Sequence, residues 1–459
     1  MILRCVNNDF WADETYTINA VNNLGYGDMF SWDPSSPPLY FIILKVLSGI
    51  GGKNCFVYHF VSCIPLLILV FFAALVVYKQ FDSYVATLFV LLLCFQPEAT
   101  TYFIEVRPYA WSALFVFFCF WTGYQLLKEK GNSIKKWVLF NLWGILAAYS
   151  HYWAFGEVIV LYFCFFFTLI ILDKSNIRKC IFSVCVSLCS YLPGLLCFVK
   201  SMTEMSRSFW IEENVPFISC LAFFVYDGII PCLLLSLCIF VVFLFAIKSV
   251  WSDARRLSHR ENKFFCEIIV LLVAIIEIVS VFLVEVIYGT LVSPLFVTRY
   301  LFPIAPIIWF SIAELLFFID HEKIKRGSFV VLFIMFVGIY GTRYYFTITN
   351  DITNDRETKQ SIGELKDIVD EENTIIVTDI EHLEYGVLQY YLPGIECALI
   401  SDFNENSKNR IVFLLSSNDN KTAKEYLSDL NLETEWKYCG DGKISRYQYY
   451  IYMVSYSYS

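Results

Sequence analysis

Four short stretches of this chain hold side chains whose types and spacing could do chemistry. "FWADETYTIN" (Phe10–Asn19) carries adjacent carboxylates, Asp13 and Glu14. A carboxylate can take the proton from a hydroxyl that is about to attack. "YFIEVRPYAWS" (Tyr102–Ser112) sets Glu105 two residues before Arg107, which abuts Pro108 and Tyr109. Arginine offers a planar fork of N–H donors matched to phosphate. "AAYSHYWAFGE" (Ala147–Glu157) places His151 between Tyr149 and Tyr152, and "VTRYLFPIAP" (Val297–Pro306) carries Arg299. Each stretch also has a plain reading. Asp13 and Glu14 are charges that solvent or a helix start would accept, and Glu105 with Arg107 is an ion pair closing a loop. His151 is an aromatic-belt residue, and Arg299 is a snorkelling cation.

The elements that must position these groups are apolar. Of 459 residues, 58% are hydrophobic, 19% aromatic and only 17% charged, with a mean hydropathy of +0.58. A soluble domain has roughly 45–50% apolar and 25% charged residues. This excess can be covered by a bilayer, at roughly 20 apolar residues per crossing. The sequence predicts a polytopic α-helical membrane protein with spans near 56–78, 83–98, 108–127, 136–150, 153–172, 178–199, 229–248, 264–287, 299–319 and 327–347. The stretch 37–51 is too short to cross after Pro37 and Pro38, and reads as an interfacial helix. The 16 Cys lie mostly in apolar runs and show no CxxC or zinc spacing, so no disulfide framework or zinc site is read. A net charge of −9 with no basic patch gives no reason to expect a nucleic-acid partner.

Lysines and arginines in the connectors around 79–83, 128–136, 173–179, 248–263 and 320–326 number sixteen, against eight on the opposite set before the tail. Cytoplasmic loops carry that excess. The four chemical stretches and the C-terminal tail then share the extracytoplasmic face. Charges gather at helix ends, and no repeat relates two halves of the chain. Ten spans with both ends outside require an exported N-terminus, which leads to the expectation of one further, first helix that this sequence lacks.

From Asp351 the composition becomes that of a soluble domain. "NTIIVTD", "ECALIS", "NRIVFLLSS" and "YQYYIYMVSY" read as strands, and "LEYGVLQYYL" and "TAKEYLSDLN" as helices. The expected organisation is a transmembrane domain over 1–350 and a small extracytoplasmic α/β domain over 351–459. No GxGxxG or P-loop appears in it.

Taken in order, "DETYT", "SPPLYFIILKVL", "TYFIEVRPYAWSALFVFF", "YSHYWAFG", "FWIEE" and "VTRYLFPIAP" resemble the bacterial GT-C membrane glycosyltransferases of the mannosyltransferase and aminoarabinose-transferase type, glycosyltransferase family 39-like. The resemblance covers residues 9 to 347. It implies transfer of a sugar from a polyprenyl-phosphate donor to a lipid, glycan or protein acceptor outside the cytoplasm, with inversion. It also implies Asp13 as catalytic base beside Glu14, Glu105 as a further acidic site, and Arg107 and Arg299 near the donor phosphate. His151, Tyr109 and Tyr152 join that binding set. Ser36 stands where family members often have His before the Pro pair, so no role for that His carries over. Spacing fixes no metal ligands, although a divalent cation (Mg or Mn) bridging carboxylate and phosphate is compatible with the chemistry. That chemistry fits independently. Phosphate is already a good leaving group, so a base and cations suffice, whereas a glycosidase needs a paired acid and base. The competing class is a transporter or flippase for a lipid-linked sugar, which would carry ionisable residues or broken helices at mid-membrane. A scaffold without a cavity is the third.

Overall fold

The computed structural model describes residues 1–30, 37–208, 216–226, 228–256, 265–291, 297–403, 410–416 and 436–455. Its contacts divide the chain into two compact units. One comprises Met1, Gly25–Ile50 and His59–Tyr345; the other comprises Ile2–Leu24, Gly51–Tyr58 and Phe346–Ser459.

The helices in chain order are α1 (Ile2–Val6), α2 (Ala12–Asn23), α3 (Leu39–Gly51), α4 (Cys55–Phe72), α5 (Tyr78–Gln80), α6 (Ser83–Phe95), α7 (Pro97–Tyr102), α8 (Tyr109–Lys128), α9 (Ile134–Ala148), α10 (Tyr152–Leu172), α11 (Ile177–Ser208), α12 (Phe217–Val225), α13 (Ile229–Arg256), α14 (Phe265–Leu291), α15 (Ala305–Glu314), α16 (Glu322–Ile368) and α17 (Leu388–Tyr391). A π-helical turn, Ala73–Val77, makes α4 and α5 one continuous rod. Among the described residues, six helices are long and apolar enough to cross a membrane. The first unit is built around α8, whose span is 83% buried, whereas that of α13 is 17% buried and turns its apolar side chains outward. Starts follow the sequence: Asp82 accepts from the Val85 N–H at 2.9 Å, and Ser133 from that of Lys136 at 3.4 Å.

The expected helix at 37–51 forms as α3. The expected span 299–319 does not form as one helix. A 3₁₀ segment, Thr298–Ile304, precedes the ten-residue α15. Pro303 and Pro306 lack N–H groups and disfavour an unbroken α-helical ladder here.

In the second unit, five strands, β1 (Thr374–Thr378), β2 (Glu396–Leu399), β3 (Arg410–Leu415), β4 (Trp436–Ile444) and β5 (Tyr447–Ser455), form one sheet in the order β2-β1-β3-β5-β4. β1 runs parallel to β2 and β3, with Ile376 opposite Cys397 and Val412; β5 is antiparallel to β3 and β4. Alternate residues feed two cores. Ile376, Val412, Leu414 and Ile451 pack with Leu365, Leu383 and Ala12 of α2, while Ile375, Val377, Phe413 and Val454 fill the other face. Four strands match the sequence reading and β4 adds a fifth. The expected helix "TAKEYLSDLN" lies outside the described residues. Cys397 and Cys439 are both free thiols.

Candidate functional site

In the first unit, the short loop between α7 and α8 presents the acidic–basic pair. The Arg107 N–H donates to the Glu105 carbonyl at 2.7 Å, closing a three-residue turn around Val106, which is fully buried. Glu105 is buried and Arg107 half-buried. Pro108 stands at the N-cap of α8, whose first residue, Tyr109, is buried. Two side chains that the sequence did not single out hold this segment. His59 of α4 contacts the Ile104 carbonyl through Nδ1 at 2.9 Å, and Trp111 Nε1 donates to the Val61 carbonyl at 3.1 Å.

His151 caps α10. Its Nδ1 accepts from the Trp153 N–H at 3.2 Å, which leaves Nε2 as the position for the ring proton. The imidazole is 8% exposed. Burial first, then the Arg107 and Arg299 charges, draw its pKa down from 6.5 to about 3. The ring is therefore a neutral N–H donor at ordinary pH. The same influence shows that Arg107, on the α7–α8 loop, and Arg299, on the 3₁₀ segment, both lie within electrostatic reach of one imidazole. Tyr109 lies within electrostatic reach of Arg107, Arg299 and Glu105 as well. Tyr152, the first residue of α10, is half-buried.

Aromatic rings connect these groups. Tyr109 lies 5.3 Å from His151, His151 lies 5.5 Å from Tyr300, and Tyr300 stacks on Trp153 at 5.6 Å. Tyr102 packs at 5.4 Å from Tyr109 and 5.1 Å from Phe302. Burial, then Glu105 and Glu98, push the Tyr102 phenol far above its ordinary pKa, so it stays an O–H donor. The expected residues Glu105, Arg107, Tyr109, His151 and Arg299 are thus brought together, with Tyr102, Tyr300 and Trp153 added. Aromatic abundance hid those three in the sequence, although Tyr102 and Tyr300 flank expected residues. Two guanidiniums within reach of neutral O–H and N–H donors are groups chemically suited to an anion.

Asp13 and Glu14 belong to the second unit. Glu14 is 2% exposed, and its carboxylate accepts from the Trp11 N–H at 3.3 Å, which fixes the start of α2. Asp13, in the first turn, is half-buried. Arg446, at the β4–β5 turn, lies over the Trp11 ring at 4.6 Å. That turn is pinned: the Ser445 N–H donates to Thr358 Oγ1 at 2.8 Å, and Thr358 Oγ1 donates to Asp9 Oδ2 at 2.7 Å. The Phe10 N–H donates to the Tyr391 hydroxyl at 2.9 Å.

One expectation needs correction. Charges do not gather only at helix ends: Glu277, in the middle of α14, is fully buried, and so is Glu157 of α10 at 1% exposure. Neither carboxyl has a hydrogen-bond partner among the described residues. "FWIEE" (Phe209–Glu213) lies outside the described residues. Among the described residues, no group of three or more His, Cys, Asp or Glu could hold a metal ion. The carboxylates among the described residues do not form a ligand set for the divalent cation, and none of them is assigned to one.

No family model and no curated protein matches the chain. Two solved structures share its fold over nearly the whole length. ArnT from Cupriavidus metallidurans in the apo state aligns with a TM-score of 0.55 at 12% identity, covering 99% of this chain and 96% of that one. The same protein bound to undecaprenyl phosphate aligns with a TM-score of 0.58 at 12% identity, covering 100% and 96%. That identity speaks for fold and not for activity. The fold is what the sequence motifs led us to expect: this chain is a multi-pass membrane protein with the fold of these ArnT structures and a small C-terminal sheet domain.

Proposed function

We propose that the protein transfers a sugar from a polyprenyl-phosphate donor to a lipid, glycan or protein acceptor on the extracytoplasmic face. Asp13 takes the proton of the acceptor hydroxyl. The freed oxygen attacks the anomeric carbon, the bond from that carbon to the phosphate oxygen breaks, and polyprenyl phosphate leaves with its electron pair. A single displacement inverts the anomeric centre. Arg107 and Arg299 hold the phosphate, with His151, Tyr109 and Tyr152 as neutral donors, and Glu105 orients the Arg107 segment. Glu14 keeps the start of α2 fixed so that Asp13 is presented in one geometry.

The observation that carries this reading is the cluster of Arg107, Arg299 and neutral His151 in a fold whose ArnT counterpart holds undecaprenyl phosphate. The test uses purified protein in phosphatidylcholine nanodiscs with a panel of polyprenyl-phosphate sugars. Asp13→Asn should retain undecaprenyl phosphate binding and lose transfer, whereas Arg299→Gln should lose binding. Full turnover by Asp13→Asn would remove the base assignment. The second reading, a transporter for a lipid-linked sugar, has one observation in its favour, the buried mid-membrane Glu277. Movement of the intact donor across vesicles without sugar transfer would decide for it.

A further inference from the structure

The residues on either side of Asp13 are held by separate parts of the second unit. The Phe10 ring packs edge-on against Tyr390 at 5.1 Å and against Tyr58 at 6.2 Å. Ala12, the first residue of α2, lies in the core of the sheet with Leu365 and Tyr449. The Tyr447 phenol takes a backbone hydrogen bond from Ala12 and lies within electrostatic reach of Asp13. Further along, α2 rests on Gly386, whose φ is +152° and whose absent Cβ would stand 3.3 Å from Thr15 Oγ1. Asn19 Nδ2 donates to the Gly386 carbonyl at 3.4 Å.

Trp11 is the odd member of this set. It occupies the N-cap of α2 and makes no capping hydrogen bond from its side chain. An indole has a donor and no acceptor, so it cannot do there what Ser, Thr, Asp or Asn does. What Trp11 offers is a face, and Arg446 lies over it, its guanidinium 4.6 Å from the ring centre.

The turn that carries Arg446 is built to keep it there. Ile444 pairs with Tyr447, so Ser445 and Arg446 alone make the β4–β5 turn. Ser445 has a φ of +57°, which hairpin turns of this length usually give to Gly, Asn or Asp. It is 2% exposed, and its N–H is spent on Thr358. The Lys443 N–H donates to Ser361 Oγ at 3.0 Å, and Lys443 Nζ to Asn354 Oδ1 at 2.6 Å. These ties fasten the turn to α16 across about two helical turns. Strain retained at so fixed a turn marks what the turn presents, which is the exposed Arg446.

We propose that Arg446 is a positioning residue for the base: by covering the Trp11 indole it fixes the entry into α2, and so the direction in which Asp13 meets the acceptor hydroxyl. The inference rests on the functional reading above, in which Asp13 takes that proton. A planar, weakly hydrated guanidinium suits this stacking, whereas an ammonium brings only a point charge. In this role Arg446 acts through Trp11 and not on the substrates. An exposed stack adds little to stability. A displacement of about 1 Å at a catalytic group can nevertheless cost about 100-fold in rate.

The test separates positioning from binding and from folding. Full-length protein in phosphatidylcholine nanodiscs carries Arg446→Ala, Arg446→Lys, Trp11→Leu, the double variant of Arg446→Ala with Trp11→Leu, or the control Gln448→Ala, an exposed neighbour on β5. Turnover is read as undecaprenyl phosphate released from the panel of undecaprenyl-phosphate sugars, with an envelope lipid extract as acceptor. Arg446→Ala should lower kcat about tenfold or more. The donor KM, undecaprenyl phosphate binding and the unfolding midpoint should not change. Arg446→Lys should recover part of kcat, and the control should keep all of it. Trp11→Leu should lower kcat as Arg446→Ala does, and the double variant should lose no more than either. An unchanged kcat in Arg446→Ala, or losses that multiply in the double variant, overturns the inference. A loss carried by donor KM, by weaker undecaprenyl phosphate binding or by a fallen unfolding midpoint also overturns it. All these results leave the functional reading intact. If the unaltered protein releases undecaprenyl phosphate from none of the donors, the functional reading itself fails, and the positioning role falls with it.

Discussion

A buried histidine within electrostatic reach of two arginines makes a firm prediction about acid. Burial, then Arg107 and Arg299, hold the His151 pKa at about 3 against an ordinary 6.5, and the Trp153 N–H on Nδ1 keeps the ring proton on Nε2. At pH 5 an ordinary histidine is charged in roughly 97 molecules of a hundred, and His151 in roughly one. Between pH 6.5 and 5 the unfolded chain gains this proton and the folded chain does not. Stability therefore falls as pH drops below about 6.5, at about 1.4 kcal/mol per unit, or about 2 kcal/mol by pH 5. Above pH 6.5 the group adds no pH dependence. The perturbation is acidification, with His151→Gln as the comparison that has nothing to titrate. The assay pairs imidazole chemical shifts, assigned by difference from the variant, with chemical unfolding of both proteins at pH 7.5 and 5. The expected His151 resonance is stationary between those values, and the unaltered protein loses about 2 kcal/mol more than the variant. A resonance moving with a midpoint near 6.5, or equal acid sensitivity of the two proteins, refutes the reasoning.

Two further outcomes follow from burial. Glu277→Met should leave stability unchanged or raise it, because the carboxyl is fully buried with no hydrogen-bond partner among the described residues. A loss of more than about 2 kcal/mol in an unfolding titration would mean that the carboxyl is held by something. Thr358→Val should cost about 2–3 kcal/mol, because it strands the Ser445 N–H and removes the hydrogen bond to Asp9. An unchanged unfolding midpoint would contradict it.

Much of this architecture could be read from the residues because the physics that sets it is local. Long apolar runs give helices, and "NTIIVTD" or "YQYYIYMVSY" give strands whatever lies elsewhere. Pro108 and the charges beside it marked the α7–α8 loop for the same reason. What escaped depends on distant partners. β4 contains Gly440, Asp441 and Gly442 and is a strand through its pairing with β5. The packing of Ala12 against Leu365 and Ile451 joins segments hundreds of residues apart, and no periodicity announces it. Tyr102 and Tyr300 were hidden for a different reason: in a chain that is 19% aromatic, one more ring carries no signal. Glu277 escaped as a single carboxylate inside an apolar run, although the cost of burying it argued for attention.

The grouping of α2 with the C-terminal sheet sets an order in time. Ala12 is synthesised hundreds of residues before its core neighbours Tyr449 and Ile451. At about 5–20 residues per second, roughly 20 to 90 seconds separate their emergence. Through that interval α2, only 12 residues long, lacks the core that holds it, and so short a helix is marginal alone. The acidic pair is thus made long before it is fixed. A chain that stops before Trp436 carries Asp13 but lacks the β4–β5 hairpin, and with it Arg446 on Trp11 and the Ser445 tie to Thr358.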